Sequence, residues 1–449
     1  MLYWILKIVV PIGLRIFYKN PLVRNADFLP KGVPVIIASN HPNAVNDPVT
    51  IAGLSNRRVR FLTRGDVFKN KILHWIFAKQ FGMIPIYRLQ EGSENLHRNE
   101  ETFFACNEIL KKKQSILVFS EGFCVQERRL RKLKKGTARI AFGAEKSADW
   151  KLGLVVVPVG LNYSAPKKFR STLVVNYGKP ITVAPFIELY KKDASLAINA
   201  FTKNLQEELS KLVIHIDDPV NDTLVSDLEM IYKKQLLEQK GKNPFSKENN
   251  FVITGEIVKA VNYFHKNNPE MVMSIRKKIN EYRNLLEQLK TRDWVIREMD
   301  EKKLRITNLL FQTILLFTGV PIHIFGLINN YLPYKIAYTT ANRIVKSVEF
   351  HSSVNMNFGM LLYLIFYSLQ ILVLALIFRN WWILSAYIIL LPLSGFFSLY
   401  YYSFLKKTFG RLRFYSLWKR DKNAAEKIIS LRQQIIKSLE KAKKDLTIL

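Results

Sequence analysis

The sequence is short of cysteine and short of acid. Cys106 and Cys124 are its only thiols, too few for a disulfide framework and without the paired spacing of a zinc site. Both read as small, buried or half-buried side chains. Asp and Glu total 36 against 68 Lys and Arg, a formal charge of +32. That imbalance draws a protein towards polyanions, either nucleic acid or an anionic membrane surface. The opening MLYWILKIVVPIGLRIFYKN lacks a leading basic region and a small-residue cleavage site, so a secretory signal is not expected. It reads instead as a short helix on a membrane surface, residues 1–30, with Lys7, Arg15 and Lys19 towards the headgroups.

Charge is missing altogether from two long stretches. Asn357 to Phe378 and Trp381 to Leu405 contain no Asp, Glu, Lys or Arg, and each exceeds the ~20 residues that cross a bilayer core as a helix. Only Arg379 and Asn380 separate them, and the Trp381-Trp382 pair suits a headgroup interface, so 357–405 reads as a transmembrane hairpin. A nucleic-acid reader has no use for such segments, and nucleic acid is not expected as a partner. Lys406, Lys407, Arg411, Arg413, Lys419 and Arg420 follow without an acid among them, which favours the cytoplasmic side. Residues 306–356 begin with another uncharged run, broken by Gly319 and Pro321 and flanked by Arg305 and Lys335. That pattern favours a re-entrant or interfacial region over a span. The basic tail, 406–449, ends in an amphipathic helix with Ile428, Leu431, Ile435, Ile436 and Leu439 near one face.

The first half has a different texture. Val35–Ala38, Val59–Leu62, Met83–Tyr87, Ile116–Phe119, Leu154–Val159 and Leu173–Tyr177 are apolar without clean alternation, as in a sheet covered on both faces. Helical lengths lie between them, at Phe68–Phe81, Glu94–Lys113 and Gly136–Lys146. The alternation implies an α/β domain over 31–215 with a parallel or mixed sheet. From 216 to 305 the chain is polar and helical in composition, a linker or cap without a catalytic constellation.

Candidate chemistry gathers after the strands, where α/β folds place ligands. Ser39-Asn40-His41-Pro42-Asn43-Ala44-Val45-Asn46-Asp47-Pro48 follows the first. A histidine there can accept a proton near neutrality, and Asp47 can hold its imidazole in one tautomer. Asp before Pro is equally the signature of a helix N-cap. Gly82-Met83-Ile84-Pro85-Ile86-Tyr87-Arg88 ends in a guanidinium fork suited to phosphate or to a surface ion pair. Phe119-Ser120-Glu121-Gly122 places an acid and a glycine beyond another strand. Arg128 to Lys135 is basic everywhere except Leu130 and Leu133, and it runs into a helix start at Gly136. Val157-Pro158-Val159-Gly160 closes the series.

Together and in this order, these segments resemble the four blocks of the glycerolipid acyltransferase family, typified by 1-acylglycerol-3-phosphate acyltransferase. The blocks are a His-Asp motif, a strand ending in Arg, Pro-Glu-Gly, and a Pro-Val segment. Two departures stand out: five residues separate His41 from Asp47 where most members have four, with Asn46 at the usual Asp position, and Ser120 replaces the proline of the third block. The layout is nearest that of the glycerol-3-phosphate/dihydroxyacetone-phosphate acyltransferases. The resemblance implies an α/β acyltransferase domain, a helical linker and a C-terminal transmembrane helical hairpin. It implies His41 as general base, Asp47 as its orienter, and Arg88, Glu121 and Gly122 at the acceptor-phosphate site, with Lys134 and Lys135 adding positive charge. The acyl group would come from acyl-CoA or acyl carrier protein as co-substrate and pass to glycerol 3-phosphate or a related acceptor. Lysophosphatidate or an amine-based lysolipid is the alternative acceptor. No metal or other cofactor is implied. The chain is expected in an inner, plasma or ER-type membrane, its catalytic domain cytoplasmic and the phospholipid bilayer its partner. A non-enzymatic membrane scaffold is the rival class, and intact His41, Asp47, Arg88 and Glu121 argue against it.

Overall fold

A computed structural model describes residues 2–68, 70, 75, 78, 81–87, 99–300 and 306–447. The chain forms two compact units, Met1–His215 with Thr340–Asn357, and Ile216–Thr339 with Phe358–Leu449.

The first unit is built on β1 (Leu22–Arg24), β2 (Val35–Ser39), β3 (Val59–Arg64), β4 (Ile84–Ile86), β5 (Ser115–Phe119), β6 (Val155–Tyr163), β7 (Leu173–Tyr177) and β8 (Ile181–Thr182). Their order is β1-β7-β6-β2-β5-β3-β4, with β8 beside β6. The sheet is mixed: β2 runs parallel to β5 and β6, β3 to β4 and β5, whereas β6 meets β7 and β8 antiparallel. All six sequence-expected strands are present. The short β1 and β8 had no apolar run to announce them.

Helices α1 (Leu2–Phe17), α2 (Asn46–Leu54), α3 (Asn99–Lys111), α4 (Gly136–Lys146), α5 (Ile187–Lys192) and α6 (Ala194–Ser210) complete the layers. Strand β2 is buried throughout, and β5 and β6 along most of their length, because both faces are covered. Ile36, Ile116, Val118 and Val156 meet Leu110, Phe142, Phe201, Leu205 and Leu209 in one core cluster. Most of the expected helix 68–81, and residues 94–98 of the one expected at 94–113, lie outside the described residues. Lys7 departs from its expected headgroup role, since its ammonium donates to the carbonyls of Ala52 and Ser55 at the end of α2. A cation there complements the exposed carbonyls and dipole of the helix C-terminus.

The second unit is helical. Buried Arg432 donates to Asp293 at 3.0 Å and to the Ile231 carbonyl at 2.9 Å, and Tyr282 donates to the same carboxylate at 3.0 Å. Removing one partner from such a pair strands a buried charge. Among the described residues three segments are long and apolar enough to cross a membrane: Phe311–Ile344, Val348–Phe378 and Trp381–Arg420. The region expected to be re-entrant or interfacial, 306–356, contains one continuous helix, Ile306–Ile344, carrying Pro321 and Pro333 inside it. Pro333 has no N–H for the Asn329 carbonyl four residues back, and Gln370 donates to that carbonyl at 3.2 Å instead. Gly326 lies where a Cβ would meet Ser398 Oγ and the Ser394 carbonyl, the close helix approach that small residues permit.

Candidate active site

The parallel register sets the site. Ser39 at the end of β2 pairs with Phe119 at the end of β5 and with Val159 in β6. The loops after β2 and β5 therefore leave the same edge of the sheet, and the last residues of β6 reach past it. Asn40 continues the β2–β6 ladder with its side chain, accepting from Leu161 N–H at 2.8 Å and donating to Leu161 O at 3.0 Å. His41 thus begins its loop from a fixed anchor.

Asp47, not Asn46, is the partner of His41: Nδ1 lies 2.8 Å from Oδ2. The loop turns through Ala44 in the left-handed region (φ 34°), and α2 begins immediately after. Asp47 lies in the first turn of that helix but does not cap it; Val45 is the N-cap residue. Its Oδ2 also accepts from the Asn43 amide at 2.7 Å, and its Oδ1 accepts from the Tyr163 hydroxyl at 2.7 Å. Three donors surround a fully buried carboxylate, as an otherwise costly buried charge requires. An ionised carboxylate only accepts, so the shared proton sits on Nδ1 and the Nε2 lone pair remains available. The imidazole stacks on Phe119 with centroids 3.8 Å apart and planes 9° from parallel, and the side chain keeps 14% exposure. It is held in orientation and still reachable.

Glu121 is buried beside the same loop, its carboxylate accepting from the His41 and Arg131 amides. Burial dominates over those donors and pushes its pKa up to about 7, with the Asp47 charge adding to the rise. Gly122 adopts a left-handed conformation (φ 83°), and a Cβ there would press on the Lys134 side chain at 3.1 Å. Lys134 donates its amide to the Ser120 carbonyl at 2.7 Å, which folds the basic segment back over the third block. Phe123, Arg129, Leu130, Arg131, Lys132 and Lys134 line a cavity of about 400 Å³. Lys135, also exposed, directly precedes α4. Gly160 in the fourth block is dictated by close approach, because a Cβ would sit 2.4 Å from the Leu212 carbonyl oxygen. Arg88, expected at the phosphate site, lies outside the described residues, as do His74 and His97.

Sequence reasoning missed five contributors. Tyr163 and Phe119 lie at strand ends on the motif edge, a position that could have flagged them. Tyr18 and the segment around Ser352 carried no signal. Cys124 was read as a bystander, yet its Sγ accepts from the Ala44 amide at 3.0 Å. It brings a third potential metal-ligating atom within 4.8 Å of those of His41 and Asp47. Those atoms are committed to one another and to backbone amides, and burial pushes the thiol up to about 12, away from the thiolate a metal would need.

Residues 20–162 match the family model described as Acyltransferase. Over 128 residues the chain is 34% identical to glycerol-3-phosphate O-acyltransferase 2 of Saccharomyces cerevisiae, covering 28% of this chain and 17% of that one. Over 159 residues it is 26% identical to the chloroplastic 1-acyl-sn-glycerol-3-phosphate acyltransferase LPAT1 of Arabidopsis thaliana, covering 35% and 40%. The matches therefore span less than half the length of these curated relatives. Among solved structures, the 1-acyl-sn-glycerophosphate acyltransferase PlsC of Thermotoga maritima aligns with a TM-score of 0.31 and 18% identity. That alignment covers 46% of this chain and 80% of the other.

Proposed function

Starting from an acyltransferase-family domain at residues 20–162, we propose that this chain is a membrane-associated glycerolipid acyltransferase. It moves an acyl group from acyl-CoA or acyl carrier protein to the hydroxyl of glycerol 3-phosphate or a closely related phosphate acceptor. The observation that carries this reading is the 2.8 Å contact between His41 Nδ1 and Asp47 Oδ2 at the edge of the sheet. His41 Nε2 takes the acceptor's proton as its oxygen attacks the thioester carbonyl, and Asp47 stabilises the imidazolium. The C–O bond forms, the C–S bond breaks, and the proton passes to the departing thiolate. No acyl-enzyme is required. Arg88, Lys134, Lys135 and the other cations of the third block are the proposed counter-charges for the acceptor phosphate.

Glycerol 3-phosphate is the first choice because the match to a glycerol-3-phosphate acyltransferase is the more identical of the two relatives above. The five-residue His41–Asp47 spacing points the same way. The test is acyl transfer in membranes, with labelled donor and a panel of acceptors. His41→Ala should lower turnover by ~10²–10⁴ without reducing the amount of protein in the membrane. Arg88→Lys keeps the charge but loses the fork, and should raise the acceptor KM about tenfold to a hundredfold while sparing the donor KM. Near-normal turnover by the His41 variant would end the mechanism. Strong preference for lysophosphatidate would keep the chemistry and change the acceptor. Equal use of a phosphate-free acceptor would move the protein to the amine-lysolipid reading.

A further inference from the structure

The loop that carries the proposed catalytic pair keeps only turn-like backbone bonds, Asn46 N–H to the Asn43 carbonyl at 3.0 Å, Asp47 N–H to the Ala44 carbonyl at 3.3 Å and Val125 N–H to the His41 carbonyl at 3.1 Å. Pro42 to Val45 belong to no strand or helix, and Ala44 is in a conformation that L residues rarely adopt (φ 34°). Such a segment holds one shape only when its surroundings determine it. Beside the Cys124 and Asp47 contacts to the Ala44 and Asn43 amides, three hydroxyls do so. Tyr18, just beyond α1, accepts at Oη from Asn43 Nδ2 at 2.8 Å and from Asn46 Nδ2 at 2.9 Å. Ser353 Oγ accepts from the Asn46 backbone N–H at 3.1 Å. Ser352 donates to Asn43 Oδ1 and lies within hydrogen-bond reach of Tyr18 as well. Tyr18, Asn43, Asn46, Ser352 and Ser353 are all buried, so no solvent competes for these bonds.

The two serines stand in the first turn of the helix His351–Phe378, far along the chain from the motif they hold. Their segment, Thr340–Asn357, belongs to the same compact unit as the sheet. It also joins two of the apolar segments long enough to cross a membrane. We propose that Tyr18, Ser352 and Ser353 form a hydroxyl clamp of positioning residues that fixes the His41–Asp47 geometry. In consequence, the connection between two apolar helices is a working part of the catalytic unit. Asn46 acquires a role here: at the position where most relatives carry the acid, it is the handle by which the clamp grips the loop. The inference rests on the His41 mechanism proposed above.

The clamp residues are buried and bond the loop, so they should act on turnover and leave binding alone. A misplacement of about 1 Å at a catalytic group can cost on the order of a hundredfold. The test uses the full chain in membranes and compares the parent with Tyr18→Phe, Ser352→Ala/Ser353→Ala, Ser353→Thr and His41→Ala. Tyr18→Phe keeps the ring that packs against Phe17 and Tyr163. The double serine variant and Tyr18→Phe should lower kcat about tenfold to a hundredfold, with donor and acceptor KM within about threefold of the parent. Ser353→Thr, which restores the acceptor oxygen, should return kcat to within about threefold of the parent. Parent-like kcat in the double variant beside an inactive His41→Ala would overturn the clamp alone. So would a loss that tracks the amount of folded protein recovered by size exclusion. Activity retained by His41→Ala would remove the mechanism and the clamp with it.

Discussion

The Tyr163 hydroxyl meets Oδ1 of Asp47 at 2.7 Å, from the last residue of β6 to the first turn of α2. Burial first, and then the Asp47 charge, raise the phenol's pKa, so it remains a donor at any working pH. Tyr163→Phe takes one of three donors from a buried carboxylate, and a hydrogen bond to a charged group is worth about 1.5–3 kcal/mol. Steady-state kinetics should give a kcat roughly tenfold or more below the parent with little change in KM. Unchanged kcat would mean that the other two donors suffice to place Asp47.

Asp47→Asn should be worse. It preserves the volume and the first turn of α2 but removes the charge that stabilises imidazolium, so activity should fall by about 10² or more at nearly unchanged stability. Asn46→Ala provides the contrast through its effect on the clamp. An inactive Asn46→Ala beside an active Asp47→Asn would exchange the two roles.

Glu121 gives the first unit a pH signature. Its pKa rises from 4.5 to about 7 in the fold because burial outweighs the His41 and Arg131 amides that favour the anion. Between those values the native state holds a proton that the unfolded chain has lost, so stability falls as pH rises. The contribution is fully present below about pH 4.5 and is lost through about pH 7. Thermal melting of detergent-purified protein across that window should decline more steeply for the parent than for Glu121→Gln. Parallel curves would show that the carboxyl titrates as an ordinary acid.

Cys124 stands close enough to the proposed catalytic pair to invite a nucleophilic role, but burial pushes its thiol up to about 12, with the Asp47 charge adding to the rise. A thiol so rarely ionised is a poor nucleophile near neutrality. Cys124→Ser should retain activity within about fivefold, and no acyl-thioester should be trapped on the parent by rapid quench. A dead serine variant with a trapped acyl-cysteine would replace the direct-transfer mechanism.

The apolar helices His351–Phe378 and Trp381–Arg420 are separated by Arg379, with positive φ, and Asn380, whose side chain caps the second by accepting from Trp382 N–H at 2.9 Å. On the proposed orientation, a transmembrane hairpin with the basic tail cytoplasmic, an impermeant maleimide should label Arg379→Cys in intact cells and miss Lys407→Cys. The reverse pattern would overturn the proposed orientation.

The strands, the four blocks and the apolar helices were legible because each is local: a run of β-branched residues, a motif within one loop, or an uncharged stretch. The same locality separated His41 from the N-cap alternative only partly, since Asp before Pro serves either purpose. What local pattern could not supply was the second partner of each group. Tyr163 reaches Asp47 because β6 runs parallel to β2, and that adjacency is a matter of strand order rather than of any residue in either strand. Cys124 meets the His41 loop for the same reason, through the β2–β5 register. Ser352 and Ser353 look like ordinary small polar residues opening an apolar helix, and only the folded chain brings them to Asn43 and Asn46. The sequence by itself therefore determined which groups can take a proton, carry charge or enter a membrane, because those are properties of side chains and their near neighbours. Tertiary structure decided how closely Asp47 meets the histidine, which tautomer that fixes, and what holds the loop still. These depend on distances between atoms set by packing elements remote in the chain.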